Sequence, residues 1–378
     1  MKNIIYDLKN RLNLSIWLDY LDREVLELLP NLVKEEKIYG ITTNPTIFNN
    51  AINKYSSAYL KHYDFGANIF DIIESIMIED VKKACEILLP LYEKTNHQDG
   101  LVSIELPPYI AYDEHQTIHK AKQIWEKIQM PNVMIKVPAT NEGINAIKKL
   151  FEENINVNIT LLFSVSKYIQ VVESYKQSKT QYSSKSITVA SFFVSRVDTA
   201  IDNILHKMLH SKIISQSDFE LLIGNVAVAN CMLAYKHYLK SFNESDIAKG
   251  EYQRILWAST STKNPSYHQL KYVIELLTPN SINTIPYNTY QLLMQSDIDI
   301  DQIKSNYTQK METSEKLVEL LNKYINLEYI LEDLLYRGVT LFSDSYNSIL
   351  YTVIEKVVDN RFPEAEYKNQ GFSERNEV

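Results

Sequence analysis

Eight short apolar runs alternate with longer amphipathic stretches, and this alternation constrains the fold more than any other feature of the chain. The runs are Ser15–Leu21, Tyr39–Asn44, Leu101–Leu106, Val133–Ala139, Asn156–Phe163, Ile187–Val194, Arg254–Thr260 and Ser281–Pro286. Their length and their β-branched and aromatic residues mark them as strands. Between them, Glu114–Ile128, Glu142–Glu152, Ser164–Gln177 and Tyr267–Leu277 carry helical periodicity. Parallel neighbours need a crossover helix, so repeated β/α units predict a parallel sheet, and eight of them predict a (β/α)8 TIM barrel of the α/β class. Such a barrel takes about 250 residues.

The chain has 378 residues, and the surplus can be located. Helical insertions are expected near 45–100 and 197–250, the second carrying helices Thr199–Leu209 and Ser217–Lys240. A helical C-terminal region covers 287–360, with helices Thr313–Tyr324 and Ser343–Val358. Residues 1–378 read as one barrel domain with these additions. Asp113, Thr140 and Ser164 stand where helix caps are wanted. Thr43-Asn-Pro-Thr46 reads as a turn that opens a helix. The tail beyond Asn360 is charged and is expected to be mobile.

Composition narrows the function. A net charge of −8 argues against a general nucleic-acid binder. No apolar run reaches the roughly 18 residues of a membrane span. The first residues show no apolar core followed by a small-residue cleavage site, so a cytoplasmic location is expected. Cys85 and Cys231 sit in apolar helical stretches and read as core thiols in a reducing compartment.

Against this background Lys136 is out of place. It interrupts Pro131-Asn-Val-Met-Ile-Lys-Val-Pro-Ala139, where a parallel strand is covered on both faces. Burial disfavours the charged form of an amine, and a neutral amine can attack a carbonyl to give a Schiff base. On its own, a lysine reaching for water near a strand end would explain the residue equally well.

Its neighbours shift the balance. In a barrel of this type the active site lies at the C-terminal ends of the strands. Polar residues fall there with strand parity: Trp17 with Asp19, Thr42 with Asn44, Ser103 with Glu105, Asn158 with Thr160, Ser191 with Phe193 and then Arg196, and Trp257 with Ser259 and then Lys263. Each has a structural explanation. Asp19 would cap the helix at Asp22, Asn44 would serve the Asn-Pro turn, Asn158 and Thr160 would form a core pair, and Arg196 would bridge to Asp198 at the surface. Their recurrence at successive strand ends is what argues for function. The chemistry that uses such a set is amine catalysis of carbon–carbon cleavage, in which carboxylates move protons, amides hold hydroxyls, and a cation with hydroxyls binds a phosphate.

The chain resembles the transaldolase family, specifically its longer bacterial subgroup, through several blocks in order. These are Ser15-Ile-Trp-Leu-Asp-Tyr-Leu21, Gly40-Ile-Thr-Thr-Asn-Pro-Thr-Ile-Phe48, Ile135-Lys-Val-Pro-Ala-Thr140, Asn158-Ile-Thr-Leu-Leu-Phe-Ser164, Val189-Ala-Ser-Phe-Phe-Val-Ser-Arg-Val-Asp198 and Leu256-Trp-Ala-Ser-Thr260. The resemblance implies a barrel enzyme that needs no metal or organic cofactor. It passes a dihydroxyacetone unit between phosphorylated sugars in the pentose phosphate pathway. It implies Lys136 as the Schiff-base lysine, Asp19 as the general acid/base, and Glu105 with Thr160 as managers of the catalytic water. Asn44 and Asn158 would hold the substrate, and Ser191, Arg196 and Ser259 the phosphate. Phe193 matches an aromatic position that helps separate transaldolases from fructose-6-phosphate aldolases.

The chain departs from the family in two places. Glu105 is followed by Leu106-Pro107-Pro108, and Thr260-Ser-Thr-Lys263 stands where some members carry a second arginine, which leaves Lys263 to supply that charge. Two other functions share this scaffold, a fructose-6-phosphate aldolase-like lyase and a non-catalytic sugar-phosphate binder. A metal-dependent enzyme would need its histidines in the mouth, but the spaced pairs His115/His119 and His206/His210 fall on helices outside it. The additional helices offer surfaces for a homodimer.

Overall fold

The computed structural model describes residues 3–60 and 68–359. Strands β1 (Ser15–Asp19), β2 (Gly40–Thr42), β3 (Leu101–Glu105), β4 (Val133–Pro138), β5 (Val157–Leu162), β6 (Thr188–Phe193), β7 (Arg254–Ala258) and β8 (Ile282–Ile285) form a closed barrel in sequential order. Every pairing is parallel, and β8 closes on β1 through Ser15–Ile282 to Leu18–Ile285. All eight expected strands are present, each within its expected bounds.

Helix α1 (Ile4–Leu12) precedes β1, and α2 (Arg23–Lys34) links β1 to β2. Helices α3 (Pro45–Lys54), α4 (Ser56–Leu60) and α5 (Ile69–Lys94) lie between β2 and β3. Single helices follow the next strands: α6 (Glu114–Ile128), α7 (Asn141–Glu152) and α8 (Val165–Tyr182). Between β6 and β7 run α9 (Ser195–His210), α10 (Gln216–Leu222), α11 (Val226–Ser241) and α12 (Glu244–Lys249). Helix α13 (Lys271–Glu275) precedes β8, and α14 (Tyr287–Met294), α15 (Ile300–Asn322) and α16 (Leu327–Asp359) follow it.

The caps stand where the sequence places them. The side chains of Asp113, Thr140 and Ser164 accept from the backbone N–H of Gln116, Gly143 and Ser166 at the starts of α6, α7 and α8. Such a cap is worth about 1 kcal/mol. Asp22, not Asp19, caps α2, through Val25 N–H.

The helices differ from expectation at three places. Ser217–Lys240 divides into α10 and α11 because Gly224, at φ +68, breaks the run, and the two halves meet at 55°. Tyr267–Leu277 is helical only over α13. Residues 264–268 instead form a turn, with Tyr267 N–H bonded to Asn264 O. The two C-terminal helices are far longer than expected, 23 residues in α15 and 33 in α16. The charged tail beyond Asn360 and the extreme N-terminus lie outside the described residues.

The barrel is closed at its N-terminal end by a buried ionic cluster. Arg254 Nη1 lies 2.9 Å from Asp99 Oδ1, and its Nη2 donates to Ser15 Oγ at 2.7 Å and Ser281 O at 2.9 Å. Lys9 Nζ reaches Asp99 Oδ2 at 2.6 Å, and Trp17 Nε1 donates to Asp99 Oδ1 at 3.3 Å. The two cations hold Asp99 well below the usual carboxylate range despite its burial. Trp17 fills the interior so tightly that a Cβ on Gly40 would sit 2.5 Å from its ring, which is why β2 begins with glycine.

Among the described residues no single helix is long and apolar enough to cross a membrane. Helices α10 and α11 pass that test only as a bent pair. The apolar surface of α11 is buried, and the helix packs against α8, α9 and α15.

Candidate active site

Strand parity turns Lys136 into the barrel, beside Glu105 on β3 and Asn158 on β5, which are its register partners. Lys136 Nζ donates to the backbone oxygen of Thr43 at 2.8 Å and lies 2.7 Å from Glu105 Oε1. Both side chains are almost wholly buried, 6% and 3% exposed. The ammonium is aligned on the Thr43 carbonyl, so its contact with Glu105 is one of charge rather than a second well-aligned hydrogen bond. Burial pushes the Glu105 carboxyl above its ordinary value, Lys136 opposes the shift, and nearby Asp19 adds to it.

Asp19 ends β1 on the same interior face as Trp17. Its Oδ1 accepts from Thr42 Oγ1 at 2.7 Å, and Thr42 shares a 2.6 Å hydroxyl contact with Thr284 on β8. Burial raises the Asp19 carboxyl, and the charge of Lys136, the Thr42 bond and Lys263 pull it back. Asn44 serves two purposes at once. Its Oδ1 caps α3 through Ile47 N–H at 3.0 Å, while its Nδ2 faces Asp19 Oδ2 at 3.5 Å.

These groups open on a cavity of about 460 Å³ at the C-terminal ends of the strands. Asp19, Asn44, Lys136, Thr160, Ser191, Phe193, Arg196, Ser259 and Lys263 all line it. Glu105 and Asn158 lie just behind the wall. Asn158 is fully buried, with Nδ2 donating to Ser103 Oγ at 2.9 Å and Oδ1 accepting from Ser191 Oγ at 2.6 Å. It therefore fixes Ser191 against the cavity. Thr160 Oγ1 is buried with no partner among the described residues. A buried hydroxyl left this way is a group awaiting a ligand or water. Beside it, β5 bulges between Ile159 and Leu162, and Leu161 is forced to φ +56. Such strain in a bulky residue collects at functional sites, where a bulge re-aims its neighbours.

The far end of the cavity is cationic. Arg196, in the first turn of α9, stacks over Phe193 at 5.6 Å, and burial lowers its value. Lys263 donates to Ser261 Oγ at 2.9 Å. Burial and the charge of Arg196 depress it, while Asp19 opposes them. Among the described residues neither cation has a carboxylate within ion-pair distance, so both are available to an anion.

Arg196 does not pair with Asp198, which is fully buried and turns the other way. Asp198 accepts from Ala227 N–H at 2.7 Å and Tyr272 OH at 2.9 Å. One turn on, Asp202 accepts from Gly224 N–H at 2.9 Å and Tyr267 OH at 2.6 Å. These bonds fasten the helix that carries Arg196 to the loop that carries Lys263.

One parity assignment is corrected. Trp257 faces outward, with Nε1 donating to Thr278 Oγ1 at 2.9 Å and its ring against Phe192 and Tyr235. The inward residues of β7 are Arg254, Leu256 and Ala258, in register with the inward residues of β6. Ser259 reaches the cavity only because the backbone turns to φ +56 after the strand ends.

Four contributors escaped the sequence reading. Thr284 had a readable signal, an inward-parity hydroxyl in the last strand. Thr42 has one too, since it shares a strand face with Asn44, but parity alone does not show its bond to Asp19. The Thr43 carbonyl is backbone and leaves no side-chain trace. Phe342 comes from α16, remote in sequence, and lines the cavity wall. Leu106-Pro107-Pro108 leaves Glu105 in place and opens a short 3-10 turn, Pro108–Ile110.

Elsewhere, among the described residues, no three His, Cys, Asp or Glu side chains converge on a metal-sized site. His115 and His119 lie exposed on α6, and His206 and His210 on α9. Both cysteines are buried free thiols.

A lysine on the fourth strand of a closed parallel barrel, with a carboxylate against it and a second on the same cavity, is the arrangement that Schiff-base aldol chemistry would use. The chain belongs to the transaldolase/fructose-6-phosphate aldolase family, whose sequence model matches residues 16–353. It is 37% identical to a transaldolase of Trichodesmium erythraeum over 94% of this chain and 98% of that protein. It is 36% identical to a transaldolase 2 of a Nostoc species, over 91% of this chain and 95% of the relative. A transaldolase of Mycolicibacterium smegmatis is also 36% identical, over 89% of this chain and 93% of its own.

Proposed function

We propose that this chain is a transaldolase. It would move a dihydroxyacetone unit from fructose 6-phosphate or sedoheptulose 7-phosphate to glyceraldehyde 3-phosphate or erythrose 4-phosphate, within the pentose phosphate pathway. The observation that carries the proposal is the buried Lys136 amine, 2.7 Å from Glu105, on the wall of a cavity with cations at its far end. Relatives named transaldolase over nearly the whole chain support the same reading.

The residues then take these roles. A proton passes from Lys136 Nζ to Glu105, and the free amine adds to the ketose carbonyl. Water leaves with help from Glu105 and Thr160, giving an iminium. Asp19 takes the proton from the hydroxyl beyond the bond to be broken, and that bond opens into an enamine on Lys136 and a free aldehyde. Asn44 holds the sugar hydroxyls, and Asn158, buried behind the wall, acts through Ser191, which takes a hydroxyl rather than the phosphate expected of it. Arg196, Lys263 and Ser259 hold the phosphate, assisted by the N-terminus of α9. The acceptor aldehyde reverses the sequence.

The test is borohydride trapping with fructose 6-phosphate, followed by mass mapping. The expected result is one adduct, on Lys136. Sedoheptulose 7-phosphate should then form when erythrose 4-phosphate is added. An adduct without transfer would make the chain an aldolase-type lyase. No adduct would leave it a sugar-phosphate binder.

A further inference from the structure

Helix α16 runs across the mouth of the barrel, and the way it is seated gives one of its side chains a chemical role. It packs on α3, α4, α5, α9, β5 and the 3-10 turn after β3. At its start, Glu328 accepts from Ser164 Oγ at 2.5 Å and Ser166 Oγ at 2.7 Å. Further along, Ser345 bonds to Thr46 at 2.8 Å and Ser348 to Asn49 at 3.0 Å, on the helix that Asn44 caps. Tyr346 meets Tyr109 edge-on at 6.1 Å.

The helix comes unusually close to the site. A Cβ on Gly338 would lie 2.9 Å from Leu161 Cδ2 and 3.6 Å from Arg196 Nη1, so the helix backbone passes directly over both side chains. One turn later on the same face, Phe342 is the only α16 residue among the described ones that lines the cavity. It is 7% exposed.

We infer that Phe342 determines whether the three-carbon unit carried on Lys136 is passed to an aldose or lost to water. This rests on the function proposed above. After the donor is cleaved, the unit waits as an enamine. In transfer, the enamine carbon forms a bond to the incoming aldehyde carbon. In loss, that carbon takes a proton to give the iminium, and water adds to the imine carbon. The carbon–nitrogen bond then breaks, dihydroxyacetone leaves with the water's oxygen, and Lys136 regains its amine. Both routes end in hydrolysis of an iminium at Lys136, and they differ in whether the enamine carbon first takes a proton delivered through water or bonds to the acceptor aldehyde. The floor is plugged by Arg254 and Asp99, so water arrives through the mouth, where an apolar ring narrows its access.

The test uses the full chain with fructose 6-phosphate, with and without erythrose 4-phosphate, and reads free dihydroxyacetone against sedoheptulose 7-phosphate. Phe342→Ala should raise the ratio of loss to transfer about tenfold, and Phe342→Leu by a smaller factor. Leu341→Ser, on the exposed face of the same helix, should keep the wild-type ratio. Melting temperature and borohydride trapping at Lys136 establish that each variant is folded and competent. If Phe342→Ala does not fold, Phe342→Leu decides. An unchanged ratio in a folded Phe342 variant, or an equal rise in Leu341→Ser, overturns the inference while leaving the transaldolase reading intact. A wild-type chain that neither traps nor transfers overturns both.

Discussion

Lys136 Nζ stands 2.7 Å from Glu105 Oε1 on adjacent, register-paired strands, and both side chains are almost wholly buried. A buried ion pair is a poor investment in stability, since apolar residues of similar volume usually serve as well or better. The pair is better explained by chemistry. On the function proposed above, the carboxylate keeps the lysine in place, and its raised value suits it to exchange a proton with the amine.

Lys136→Ala should lower turnover at least about a thousandfold and abolish trapping, with little change in melting temperature, because Glu105 can take up a proton rather than remain a stranded charge. Asp19→Asn should behave differently. The adduct still forms on Lys136, but cleavage slows by about 10²–10⁴-fold. Single-turnover trapping alongside aldehyde release separates the two steps. A variant Asp19→Asn that traps slowly but cleaves normally would remove Asp19 from its assigned role.

Arg196→Ala should raise KM for phosphorylated donors by tenfold or more, about 1.4 kcal/mol, and change KM for free dihydroxyacetone donors little. Lys263→Ala should give a smaller rise, since a single ammonium lacks the guanidinium fork. Equal effects on phosphorylated and unphosphorylated substrates would remove the phosphate from this end of the cavity.

Burial raises both Asp19 and Glu105. Each must be ionised to accept a proton, so activity should fall as pH drops through their raised values. The acid limb of kcat/KM should therefore lie clearly above the roughly 4 of an ordinary carboxyl. A limb at or below that value would contradict the burial-driven shifts.

Asp198 is pushed from 3.8 to about 7, chiefly by burial. Between about pH 4 and 7 the folded chain then holds a proton that the unfolded chain has lost. Stability from this group accordingly increases as pH falls across that window, by up to about 1.4 kcal/mol per pH unit. Asn in its place can still accept from Ala227 N–H and can donate to Tyr272 OH. Asp198→Asn should therefore flatten the dependence of the unfolding midpoint on pH between 5 and 7.5, relative to wild type. Parallel curves for the two proteins would show that Asp198 is ionised throughout.

The barrel was readable because period-2 runs and cap residues are local signals. Lys136 was readable because a charge in a doubly covered strand contradicts its surroundings. Parity also brought Asp19, Thr160 and Ser191 to one cavity. It fails at Trp257, because strand parity carried through to Ser259 ignores the turn of the backbone there. Asn158 was placed correctly, yet how fully its amide is engaged by Ser103 and Ser191 depends on three strands at once. Phe342 left no trace, because nothing local tells a helix some 200 residues beyond Lys136 that it will lie across the opening.

The Arg254–Asp99 plug has a kinetic consequence. On the proposed function, with the base of the barrel shut, the departing aldehyde and the arriving one would share a single doorway and a single phosphate cradle. The first product must be gone before the second reactant can enter. Double-reciprocal plots should be parallel, and each aldehyde should act as a competitive inhibitor of the other.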